Sequence, residues 1–218
     1  MENRTDSPGE RRSGAELRRD QILCAAKACF SEYGFHGTSI AVLAKSSGMS
    51  VGHIYHYFQN KEAIVEAIAE EAMEEILEVH SAILNCTEIL DGLISHVADV
   101  SIEFSRLENA RLRLEIMSEA TRNARLGRIV QDCDQRTRKS MLEILKCINE
   151  SRSVPLSDAE IEIRFELLSS LVSGFLMRAV KGCHVDENEL RQSLYQVLRF
   201  ILVSNVSEQA AENEVLTG

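Results

Sequence analysis

Apolar residues return at spacings of three and four along almost the whole chain, and nowhere do they alternate for long enough to mark a strand. The pattern predicts an all-α protein of about nine helices. The expected spans are Glu16–Tyr33, Ser39–Ser46, Ser50–Tyr57, Lys61 to about Asn85, Thr87–Leu107, Asn109–Arg122, Gly127–Asn149, Ser157–Cys183 and Asp186–Ser204. In the first, Ile22, Ala26, Phe30 and Tyr33 share one face, and Gly34 and Gly37 end it in the loop GFHG. The next two helices are too short to stand alone and need tertiary packing. Thr38 or Ser39, then Ser50, then Asn60 stand where an N-cap side chain accepts a free backbone N–H.

These elements divide the chain into four parts. Residues 1–14 form a polar arm rich in Pro, Gly, Ser and Arg, which reads as mobile, and residues 205–218 form a frayed tail. Between them lie a compact head, 15–61, and a larger helical body, 62–204. The boundary near Lys61 falls inside a helix start, so the two parts are mechanically joined. No internal repeat of fixed period occurs.

Charge separates head from body. From Tyr33 to Lys61 there are 29 residues without one Asp or Glu, where the overall acid content of 34 in 218 would place about four. Residues 1–62 carry 8 basic and 7 acidic side chains, whereas residues 63–218 carry 16 and 27, together giving the net charge of -10. An anion can approach the head without repulsion, and the acidic body repels nucleic acid. With 44% apolar residues, no run of 18 of them and a charged N-terminus, the sequence is that of a globular protein of the cytoplasm, without membrane association. The six cysteines show no CxxC spacing, which favours reduced thiols over a disulfide framework or a zinc site, and a redox-sensing thiol is the lesser reading.

Within the acid-free stretch, Ser39–Tyr57 reads as two helices meeting at a tight turn. Ala44 is small where they cross, Gly48 can take left-handed angles, and Leu43, Met49 and Ile54 supply the apolar contacts. This is helix-turn-helix spacing, whose second helix enters the major groove with its N-terminal residues toward the bases. Here those residues are Ser50, Val51, Gly52 and His53.

The stretch ILCAAKACFSEYGFHGTSIAVLAKSSGMSVGHIYHYFQNKEAI resembles the DNA-binding domain of TetR-type bacterial transcriptional regulators. The resemblance is carried by Phe30, Gly34, Phe35, Thr38, Ser39, Leu43, Ala44, Gly48, Ser50, Gly52, Ile54, Tyr55, Tyr57, Phe58 and Lys61. It implies an N-terminal three-helix DNA-binding domain and a body for effector binding and dimerisation. The expected function is a ligand-responsive repressor that binds a palindromic double-stranded DNA operator as a dimer and is released by a small-molecule effector. Residues expected at DNA are Ser39, Ser50, Val51, Gly52, His53, Tyr55, His56, Tyr57 and Lys61. Ser39, Tyr55, Tyr57 and Lys61 would hold phosphates, while His53 and His56 would meet base edges. Val51 and His53 depart from the family's common residues. Tyr55 and Tyr57 can alternatively serve as core aromatics, as Phe58 does. Arg4, Arg11, Arg12, Arg18 and Arg19 either reach a minor groove or are solvated.

In the body, residues 165–180 (FELLSSLVSGFLMRAV) carry no charge from Leu167 to Met177 and must be covered all round. Ser169, Ser170, Ser173 and Gly174 allow close approach, and Leu194, Val197, Leu198 and Ile201 form a stripe on the last helix. A homodimer through the last two helices is expected, with a purely internal core as the alternative. Phe104, Met117, Met141 and Phe175 are candidate effector-cavity residues or simply core. Arg122, Arg125, Arg128, Arg136, Arg138 and Lys139 either attract an anionic effector or form local ion pairs. His80, His96 and His184 show no partners, and no cofactor, metal or catalytic set is expected. A helical adaptor that binds protein rather than DNA is the rival reading.

Overall fold

The computed structural model describes residues 13–182 and 185–204, so most of the expected arm, the expected tail, Cys183 and His184 lie outside the described residues. The described residues form nine helices and no strand: α1 Gly14–Gly37, α2 Ile40–Ser47, α3 Val51–Tyr57, α4 Lys61–Leu84, α5 Ile89–Ser105, α6 Leu107–Ala120, α7 Ala124–Glu150, α8 Asp158–Val180 and α9 Glu187–Val203. None is long and apolar enough to cross a membrane. Ser13 closes a capping box with Glu16, so the last residues of the expected arm cap and open α1.

Several helix ends differ from the sequence expectation for identifiable reasons. α7 starts at Ala124 rather than Gly127, because Asn123 Oδ1 accepts from Arg125 and Leu126 backbone N–H groups. The α5–α6 break falls at extended Arg106, whose guanidinium makes paired bonds of 2.9 and 2.7 Å to Glu187. α8 stops at Val180, with Gly182 in the left-handed region (φ 69°) just beyond. Tyr33 does not join the buried face of α1. It is exposed, and Phe35 fills that place, its ring 5.8 Å from Phe30.

Two apolar clusters organise the molecule. The first joins Ile22, Leu23, Ala26 and Phe30 of α1 with Leu43, Ala44, Ile54 and Phe58, and with Ile64, Val65 and Ile68 of α4. It does not stop at residue 61, because Leu126 of α7 is fully buried in it and Leu112 and Ile116 of α6 lie against it. The second cluster joins α5, α7, α8 and α9 through Leu93, Ile94, Val97, Ile144, Phe165, Leu168, Leu194 and Leu198. The expected α9 stripe is therefore split: Leu194 and Leu198 are internal core, whereas Val197 is exposed.

Arg152 and buried Arg164 finish α9. Arg152 donates to the Leu202 and Val203 carbonyls and Arg164 to Ser204 O, placing positive charge at the negative end of the helix. Burial pushes the Arg164 guanidinium below its ordinary range, with Arg152 adding to the effect.

Head and body meet at a corner built on Gly34. Its φ of 73° and ψ of 173° lie where side chains are strained, and a Cβ there would stand 3.0 Å from Glu115 Oε1. That carboxylate accepts the Phe35 N–H at 2.7 Å, and buried Thr38 closes the corner by donating to the Cys29 and Gly34 carbonyls. Gly34→Ala should lower stability by about 1–3 kcal/mol. In urea unfolding, the midpoint should fall while the slope stays unchanged.

Candidate nucleic-acid interface and body cavity

α2 and α3 have only eight and seven residues, and they are pinned to the core by buried Leu43, Ala44 and Ser47 on α2 and by buried Ile54 on α3. Leu43 and Ile54 are both fully buried, each worth about 1.5–3 kcal/mol relative to exposure. Ser39, rather than Thr38, caps α2, its Oγ accepting from Val42 N, and Ser50 caps α3 by accepting from His53 N. Gly48 takes the left-handed conformation between them (φ 68°), and Met49 N–H donates to Ala44 O. The turn is thus closed from within.

What remains is the outward half. Val51, Gly52, His53, Tyr55 and His56 are all exposed, with Tyr55 52% accessible. Ser39 and Ser50 are exposed too, and each hydroxyl accepts one backbone bond, leaving its proton for an outside acceptor. Tyr57 is half-buried, its ring 5.4 Å from His53 and 5.2 Å from His56, so it supports the histidines as well as facing outward. Phe58 is buried. Lys61 is partly committed: its ammonium donates to Phe35 O at 2.6 Å and lies 4.4 Å over the Phe35 ring, leaving two N–H donors. Arg19 lies over Phe58 and Arg18 donates to Gln21, while Arg4, Arg11 and Arg12 lie outside the described residues.

Gly52 stands in α3 with nothing within 4 Å of where a Cβ would sit. No internal packing requires glycine there, although glycine weakens a helix by about 1 kcal/mol.

In the body, a cavity of about 480 Å³ lies among α4, α5, α7 and α8, with Arg113 of α6 in its wall. Of the residues expected to line a cavity, Phe104 and Met141 do so. Met117 instead borders an adjoining cavity of about 640 Å³, which shares Phe104 and Arg113 with the first and reaches Lys27, Ala28 and Ser31 of α1. Phe175 lines neither and packs against the second apolar cluster. Its apolar register alone could not distinguish a cavity wall from core.

His80 and His96, without visible partners in the sequence, meet edge to face in this cavity at 5.4 Å. His80 is 2% accessible, and its Nδ1 lies 3.0 Å from Ser140 Oγ. The missed signal was its register: His80 continues the buried row of Met73 and Ile83 on α4. Its partner, 60 positions away on another helix, left no trace in sequence.

The expected basic region of α7 is largely spent on ion pairs. Arg125 meets Glu66 at 3.1 Å, Arg122 meets Glu119 at 3.4 Å, and Arg138 bridges Glu162 and Glu166 while covering the Phe165 ring. The Cys133 thiol is pushed up by burial, with Asp132 adding to it, which opposes thiolate chemistry there. No group of three or more metal-ligating side chains occurs among the described residues.

An all-helical chain whose second and third helices form a closed helix-turn-helix, presenting one unpartnered polar face, is a helix-turn-helix protein with a helical body. Residues 22–68 match the family model described as bacterial regulatory proteins, tetR family. The regulator UidR of Escherichia coli K12 is 31% identical over 118 residues, 54% of this chain, and the chain covers 59% of UidR's length. The repressor AcnR of Corynebacterium diphtheriae is 27% identical over 173 residues, covering 79% of this chain and 86% of AcnR. The solved structure of Salmonella enterica GusR superimposes with a TM-score of 0.72 at 27% identity, over 88% of this chain and 98% of GusR. The chain is thus similar to tetR-family regulators, through residues 22–68 by the family model and over most of its length to AcnR and GusR.

Two outcomes follow. Gly52→Ala should raise stability by about 0.5–1 kcal/mol and yet weaken duplex binding, as read by paired denaturation and anisotropy measurements. Burial, reinforced by the charge of His96, lowers the His80 pKa to about 4 from 6.5, so between these values the unfolded chain binds the extra proton. Stability carried by neutral His80 should be complete above pH 6.5 and fall as pH drops toward 4, by on the order of 3 kcal/mol at most. His80→Leu should flatten that part of the stability–pH curve.

Proposed function

We propose that this protein is a sequence-specific DNA-binding transcriptional regulator of the cytoplasm. In this reading it is a ligand-responsive repressor that holds a palindromic operator as a homodimer. The observation that carries the reading is the outward row Val51, Gly52, His53, Tyr55 and His56, set on a unit whose inward residues are fully buried. Such a row, free of carboxylates in its own segment, suits a major groove, with Val51 available to a thymine methyl and His53 and His56 to base edges. Ser39, Ser50, Tyr55, Tyr57 and the two free donors of Lys61 would take phosphates. Residues 15–61 would then act as the DNA-binding unit and 62–204 as the receiving body.

The face for a second copy lies on the last two helices. Ile163, Leu167 and Met177 of α8 and Val197, Phe200 and Val203 of α9 are exposed, with Phe200 60% accessible. Ser170 and Gly174 of α8 are exposed as well, and a Cβ on Gly174 would meet nothing within 4 Å. An apolar face of this extent is covered economically by its own copy, two helices from each chain making a four-helix interface.

The body cavity would hold the effector. Its continuation toward Lys27 and Ser31 gives a ligand walls on both sides of the head–body junction. A ligand that favours a spacing of the two heads unsuited to the operator releases DNA by that difference in affinity alone.

The test is selection of bound duplexes from fragmented genomic DNA, followed by salt titration. A palindromic consensus bound with a steep salt dependence is expected, and salt-sensitive binding to no sequence would reject the proposal. Lys61→Ala should weaken all selected duplexes by a similar factor, whereas His53→Ala should change their ranking.

A further inference from the structure

Two nitrogen-bearing side chains from different helices, His80 and Arg113, line the cavity and define its two poles. At one, His80 is buried to 2% accessibility, and its Nε2 has no hydrogen-bond partner among the described residues. Ser140 Oγ, whose hydroxyl is bonded to no carbonyl among the described residues, is placed to donate to Nδ1, which leaves the proton on Nε2 as a donor. At the other pole, Arg113 lies 4.3 Å over the Phe104 ring. No carboxylate stands within ion-pair distance of it among the described residues, and burial holds its guanidinium below the ordinary range, with the charges of Glu103 and Glu75 opposing that shift. His96 and Phe104 stand at these poles on α5, eight residues apart, which is roughly 12 Å along the helix.

The rest of the wall is mostly apolar, with Ile76, Val97, Val100, Met141 and Leu168, and carries the side chains of Thr137, Ser169 and Ser173 as well. Glu75, Glu103 and Asp134 also border the space, but they are exposed. Solvated carboxylates at the rim repel a second negative charge, while Glu103 and Glu75 offset the burial of Arg113 only from beyond ion-pair distance and leave its guanidinium donors to a ligand. That combination selects one negative charge, not several, and disfavours a cation.

We propose that the cavity binds an elongated monocarboxylate with an apolar middle and a hydroxyl or carbonyl oxygen at its far end. The carboxylate takes Arg113, and the far oxygen accepts from His80 Nε2. The inference rests on the reading of the body as effector-binding, and it names the chemical class of that effector.

Calorimetry on the full-length protein without DNA tests it, using 8-hydroxyoctanoate, octanoate, 1,8-octanediol, octyl phosphate and 8-amino-1-octanol. The hydroxy acid should bind tightest, about three- to tenfold better than octanoate and at least about tenfold better than the diol. Arg113→Met should erase the preference for hydroxy acid over diol. His80→Leu should erase the preference for hydroxy acid over octanoate. Because Arg113 is only half-buried, its variant keeps the test readable if the His80 variant fails to fold. No binding of the hydroxy acid, tighter binding of the amino alcohol or the phosphate, or wild-type selectivity in a folded variant would overturn the proposal. Failure here leaves duplex binding untouched, and failure of duplex binding leaves the calorimetric result standing.

Discussion

The burial of Leu43 and Ile54 is the constraint on which the presented surface depends. Helices of eight and seven residues are unstable in water by themselves, since each leaves most of its terminal backbone groups without internal partners. Packing Leu43 and Ala44 of α2 and Ile54 of α3 against Phe30 and the start of α4 supplies the missing free energy and fixes rotation about each short axis. Once Ile54 points inward, Gly52, His53, Tyr55 and His56 must point outward, while Val51, one turn before Ile54, is exposed as the first residue of the helix. The exposed face is therefore the geometric complement of a core contact, and the Ser39, Gly48 and Ser50 caps keep the turn from fraying.

The head is joined to the body by packing more than by charge. Lys27–Glu71 at 2.5 Å and Arg125–Glu66 at 3.1 Å cross between helices, but both pairs are about two-fifths exposed and contribute little individually. Leu126, buried in the head's own cluster, and the Glu115 carboxylate seated on the Gly34 corner matter more. Lys61, reaching back to Phe35 O, ties the fourth helix to the same corner. α6 thus touches the base of the helix-turn-helix through Glu115, Leu112 and Ile116, and it also carries Arg113 into the cavity wall.

Buried polar groups show how the body differs from a plain helical bundle. Arg164 is satisfied through the α9 terminus, apart from its Nε, and so has a structural account. His80 has one nitrogen on Ser140 and the other without a partner among the described residues, on a side chain that lines the cavity. An orphan nitrogen against a well-packed wall would be a defect costing about 1–3 kcal/mol, whereas beside a cavity it is a place for a ligand atom.

Much of this was legible from the sequence, because the decisive signals are local. Apolar spacing fixed the number and order of the helices, while Gly48, Ser39, Ser50 and Asn60 marked their ends by backbone chemistry acting within a few residues. The acid-free stretch and its family motif located the outward face for the same reason. Tertiary structure alone decided which apolar residues are wall and which are core, separating Phe104 and Met141 from Phe175 and Leu194 and Leu198 from Val197. It also decided that acids from α6 reach the acid-free segment at Phe35 and His36, away from α3, and that His80 finds Ser140. Those outcomes depend on how helices distant in sequence cross, and a helix's own periodicity says which face is apolar without saying what that face will meet.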